Sequence, residues 1–86
     1  MAQLKDSRLR RFWFASPGRL GIGVTAESKG EAKALAKQAA AKLNWPLDLS
    51  SVVEDVDIQS LDQKHVVPNI GPPNFRGVWF PRQPLL

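Results

Sequence analysis

Apolar and polar positions fall into short periods that change along the chain. Residues 9–15, Leu-Arg-Arg-Phe-Trp-Phe-Ala, are dense in aromatics, which favours a strand. Ser16-Pro17-Gly18-Arg19 follows. Proline pre-sets φ at the first central turn position and glycine tolerates positive φ at the second, a type II signature. Residues 20–26, Leu-Gly-Ile-Gly-Val-Thr-Ala, then alternate as a half-buried strand does. A two-residue loop at Pro17-Gly18 sets Ser16 against Arg19, Trp13 against Ile22, Arg11 against Val24 and Leu9 against Ala26. The expected core face is Leu9, Trp13, Leu20, Ile22 and Val24. The other face carries Arg10, Phe12 and Phe14 over Gly21 and Gly23. A loop one residue longer exchanges the faces. Type II turns match hairpin twist less well than the primed types, so the longer loop is a real alternative.

The period changes after Ala26. Ser28-Lys29-Gly30-Glu31 is a capping box, in which the serine caps the first turn and the glutamate reaches back. Ala32, Leu35, Ala36, Ala39 and Leu43 then recur at helical spacing as one alanine-rich stripe that lets the helix lie close on a sheet. Lys29, Lys33 and Lys37 run beside it, and Asn44 and Pro46 end it. Trp45 is placed to pack under the helix end. Residues 52–58 read as a third strand with Val52, Val56 and Ile58 on one face and Asp55 and Asp57 on the other. Residues 59–64 make a turn around Leu61. His65-Val66-Val67 reads as a short strand ended by Pro68. Residues 69–74 form a rigid loop, because prolines cannot sit inside a ladder. Residues 76–80 form a last strand, stopped by Pro81.

This order predicts an α+β fold: a β-hairpin, one amphipathic helix, then two to three strands, with the helix packed on a mixed sheet. The element order resembles that of β-grasp domains such as ubiquitin, an analogy that implies little about function. The expected organisation is a flexible N-terminus over 1–8, a single domain over 9–81 and a loose tail over 82–86.

Composition narrows the chemistry. The chain has 86 residues, enough for one domain, and no cysteine, which removes disulfides, thiolate metal sites and a cysteine nucleophile. Its one histidine is His65. No apolar stretch reaches the roughly 18 residues of a membrane span, and the first residues lack the apolar run of a secretory signal. The expected compartment is therefore cytoplasmic, with no membrane partner. The net charge is +4 and unevenly placed. Residues 1–43 hold nine Lys/Arg against three Asp/Glu, whereas residues 44–86 hold three against five. A basic half can attract polyanions, and it can equally pair internally with the acidic half.

Five constellations could carry chemistry. Asp55 and Asp57 at i, i+2 with His65 could hold a magnesium or manganese ion and support a metal-dependent hydrolase, but the same carboxylates also suit an acidic edge strand. His65 alone could act as a general base, yet no marked nucleophile accompanies it. Gly18, Gly21 and Gly23 do not follow the order of a phosphate-binding loop, so close packing of aromatics on a glycine face is the better reading. Arg10, Arg11, Phe12 and Phe14, with Lys29, Lys33 and Lys37, resemble the basic-aromatic faces on which nucleic-acid binders stack single-stranded bases. Fifth, the last third joins rigid prolines to Asn69, Phe75, Arg76, Trp79 and Phe80. A stiff loop bearing aromatics and arginine loses little entropy on binding, which suits a protein interface.

Residues 12–14 (FWF), 21–26 (GIGVTA), 54–57 (EDVD), 65–71 (HVVPNIG) and 76–81 (RGVWFP) together resemble a family of small uncharacterised single-domain bacterial proteins. The resemblance covers most of residues 9–82 and implies a bacterial, stand-alone domain. The family has no known function, so it assigns no site residue.

The expectation is a small protein-binding module that is not an enzyme and carries no cofactor or catalytic metal. Its partner is another protein, met through Asn69, Phe75, Arg76, Trp79 and Phe80, with Phe12 and Phe14 as candidate additions. The alternative is an RNA or single-stranded DNA binder using Arg10, Arg11, Phe12, Phe14, Lys29, Lys33 and Lys37. A homodimer through the Phe12/Phe14 face is a further candidate. A ubiquitin-like modifier fits less well, because the C-terminus has no terminal glycine.

Overall fold

A computed structural model of the chain describes residues 8–82. Most of the two expected tails, 1–7 and 83–86, therefore lies outside the described residues. Among the described residues the elements are β1 (Arg10–Ala15), β2 (Ile22–Ala26), α1 (Lys29–Leu43), β3 (Asp48–Glu54) and β4 (Gly77–Phe80). Two 3₁₀ turns, Ile58–Ser60 and Val67–Asn69, lie between β3 and β4. The fold is α+β. Its sheet runs β3-β1-β2-β4 and every pairing is antiparallel, so the expected mixed sheet is corrected.

The helix forms where its signals lie. Ser28 is extended and accepts the Glu31 amide at 3.1 Å, as the capping box requires, while the Glu31 carboxylate reaches one residue further back than the box defines and accepts the Glu27 amide at 2.9 Å. Asn44 ends the helix in the left-handed region at φ 56°. Ala32, Ala36, Ala39 and Ala40 are buried against the sheet, mainly over β2. Trp45 packs against this core, as expected.

The hairpin turn is Ser16 to Arg19, closed by the Arg19 amide on the Ser16 carbonyl at 2.8 Å, with Gly18 at φ 78°. The strands meet one residue later than the two-residue loop requires: Phe14 faces Ile22, Trp13 faces Gly23 and Phe12 faces Val24. That single step exchanges the faces. Phe12, Phe14, Ile22, Val24 and Ala26 form the core under the helix. Trp13 lies on the opposite face, and Leu20, expected in the core, is exposed.

The opposite face is also covered, by the segment between β3 and β4. Val56, Val66, Trp79 and Phe80 are buried there, with Trp13, Ile58, Leu61 and Ile70 packed against them. Trp13 meets Trp79 at 5.9 Å and Phe80 at 5.6 Å between ring centroids. An irregularity in the β2–β4 pairing between Gly23 and Val24 lets the adjacent residues Trp79 and Phe80 join the same layer. The glycine face expected under Phe12 and Phe14 lies under tryptophans instead. A Cβ on Gly21 would stand 2.5 Å from the Trp13 ring, and one on Gly23 would stand 2.5 Å from the Trp79 ring.

Two further expectations are corrected. The third strand covers 48–54 rather than 52–58, because Asp55 turns the chain out of the sheet at φ 55°. His65-Val66-Val67 is not a strand; the Asp62 carbonyl accepts the Val66 and Val67 amides in a turn that leads into the second 3₁₀ segment.

Candidate functional site

The covering segment is tied down where it approaches β4. The Gly71 amide donates to the Trp79 carbonyl at 2.8 Å. The buried Thr25 hydroxyl donates to the Pro73 carbonyl at 2.6 Å. Arg11, also buried, donates from Nη2 to Asn74 Oδ1 at 2.7 Å. Arg76 forms an ion pair with Glu31 in the first turn of α1. Four contacts from β2, β1, β4 and α1 thus hold residues 71–76. Thr25 and Arg11 stand on the second face of the sheet, where their polar groups need partners once water is excluded. Between these anchors Phe75 keeps 54% of its surface exposed, the highest value among the large hydrophobic residues described.

The expected protein-contact residues separate into two groups. Phe75 and Arg76 are exposed and adjacent. Asn69 is exposed, and its side chain donates to the His65 carbonyl at 2.9 Å. Trp79 and Phe80 are 1% and 5% exposed, so their expected contact role is corrected: they close the second layer of the core.

The nucleic-acid set is dispersed. Phe12 and Phe14 are fully buried beneath the helix and offer no ring face to a base or to a second copy. Arg11 is buried on the other side of the sheet from them. Arg10 lies over the Phe12 ring at 5.4 Å and is held by Asp55 at 2.8 Å and Glu54 at 3.2 Å. Lys29 joins the same cluster through Glu54 at 3.3 Å. Lys33 and Lys37 have no acidic partner among the described residues. Cations of the first half therefore pair partly with carboxylates of the second.

The acidic residues and His65 do not converge. The Arg10 hydrogen bond holds the Asp55 carboxyl below its usual range. Asp57 caps the first 3₁₀ turn by accepting the Gln59 amide at 3.0 Å. His65 is exposed and stands 3.4 Å from Asp62, whose carboxyl is lowered mainly by the His65 and Lys64 amides. Among the described residues no group of three His, Cys, Asp or Glu is placed to hold a metal ion.

Sequence reasoning missed the anchors Thr25, Asn74 and Glu31. Thr25 carried one signal, a hydroxyl inside an otherwise apolar strand. Asn74 and Glu31 carried none, because their partners lie 63 and 45 residues away in the chain. No helix among the described residues is long and apolar enough to cross a membrane. No family model, no curated protein and no solved structure matches the chain.

Proposed function

We propose that this chain is a small, non-enzymatic, cytoplasmic bacterial module that binds another protein through the anchored loop around Phe75 and Arg76. One observation carries the reading: residues 71–76 are fixed at four points, yet their one large apolar side chain is left 54% exposed. A loop held in one conformation before binding loses little entropy on contact, and an aromatic beside an arginine is the composition of an interface anchor. Arg76 already pairs with Glu31, so it can contribute its remaining donors without searching rotamers.

The test replaces Phe75 with a photo-crosslinking amino acid in the living cell, and uses Gln38, on the exposed side of α1, as the control position. One protein should be captured at 75 and not at 38. With both proteins purified, Phe75→Ala should weaken the complex at least tenfold, the effect of losing an interface anchor. Equal capture at both positions, or an unchanged affinity of the Ala variant with its fold intact, overturns the reading.

A further inference from the structure

The two edges of the sheet differ. The outer side of β4 is partly covered, because its Trp79 carbonyl takes the Gly71 amide. On the outer side of β3 no described segment pairs. The hydrogen-bond direction along this edge follows from the interior. The Val56 amide donates to the Arg11 carbonyl, so Arg11 points its backbone toward β3. Alternation in an antiparallel ladder then turns Trp13 toward β3 as well, and Phe12 and Phe14 toward β2. Trp13 faces Val53, so Val53 spends its backbone groups on β1. Val52 and Glu54 therefore direct their N–H and C=O groups outward.

We propose that β3 pairs with the β3 of a second copy of this chain, antiparallel about a two-fold axis through Val53. That register sets Val52 of each copy opposite Glu54 of the other, so the outward backbone groups meet one another. Val53, 52% exposed, meets its counterpart across the axis in the closer, non-hydrogen-bonded position. The charges agree with this register. Glu54 meets a valine rather than a second carboxylate, and it already lies beside Arg10 and Lys29 of its own chain. The flanking Ser50 and Ser51 are neutral. The edge also lacks the lysine or proline that commonly guards an open strand. The regular seam spans Val52–Glu54 only, since the pairing shifts between Phe14 and Ala15 and Asp48 folds back on Ser50 at 2.6 Å. A seam that short gives an association that depends visibly on concentration.

The chain has no cysteine, so Val53→Cys introduces a single thiol on the axis. Paired strands bring the two Cα atoms to about 4.5 Å, within disulfide reach. Mild oxidation should link Val53→Cys chains to each other at least tenfold faster than Leu20→Cys chains, whose altered position is 45% exposed against 52%. Sedimentation of the unaltered protein from about 10 µM to about 1 mM should show a mass rising from 9.5 kDa toward twice that value, and Val53→Lys should hold it at the monomer. Equal linkage at 20 and 53, or a monomer mass throughout, overturns the proposal. So does a Val53→Cys thiol that links only to a different protein, which would assign the edge to another chain's extended segment.

Discussion

At the residue scale, the decisive contacts are two tryptophans on two glycines. Trp79 lies so close over Gly23 that a Cβ there would stand 2.5 Å from ring carbons. Trp79 cannot retreat, because it is buried against Trp13, Phe80 and the covering segment. Gly23→Ala is expected to cost about 1–3 kcal/mol, the range for overpacking a closed core, read as a lower urea midpoint with an unchanged slope. An unchanged midpoint would mean that the second layer yields freely. The glycines were legible as a packing surface, but the rings that use them were not. Both faces of β1 are aromatic, since Phe12 and Phe14 fill one core and Trp13 the other. The usual sign of register, one apolar face against one polar face, is absent from such a strand.

At the scale of elements, the helix was legible almost to the residue, because capping box, alanine stripe and left-handed Asn44 are local signals. The covering segment was not. Its prolines announced rigidity, but its anchors come from β1, β2, β4 and α1 and leave no mark in its own sequence. One joint between elements makes a pH prediction. Arg10 on β1 holds Asp55, the residue that ends β3, by hydrogen bonds of 2.9 and 2.8 Å. Arg10 lowers the folded Asp55 carboxyl below its unfolded value. The bond therefore adds stability above the unfolded carboxyl value, and that stability is lost as pH falls through the folded one. Asp48 and Asp62 are lowered as well, Asp48 mainly by the Ser50 hydroxyl, so all three act in the same direction. Urea midpoints should stay level near neutrality and decline on acidification below about pH 4. Asp55→Asn should lower the neutral midpoint slightly and flatten part of the acid decline. An acid limb identical in the variant would show that Asp55 contributes nothing to it.

At the scale of the whole molecule, charge is arranged so that the basic half is partly spent internally. Arg8 reaches Glu27, and Arg10 and Lys29 reach Glu54. Lys33, Lys37 and Lys42 on α1 remain as cations without acidic partners among the described residues. A chain read from composition alone looks like a polyanion binder, whereas the fold has put Phe12 and Phe14 out of reach. What three lysines can do is limited by counterion release. With about three phosphate contacts on a single strand, the slope of log affinity against log salt is about −2, so affinity falls roughly twentyfold between 50 and 200 mM salt. Short single-stranded RNA or DNA should therefore associate only at low salt, shift the amides of Lys33, Lys37 and Lys42, and leave the Phe12 and Phe14 ring signals unmoved. Lys33→Glu with Lys37→Glu should abolish that association without changing the urea midpoint by more than a surface substitution does. A much steeper salt slope, or ring shifts at Phe12 and Phe14 on binding, would mean that the helix lifts from the sheet to expose them, and would restore the nucleic-acid reading in place of the protein-binding one.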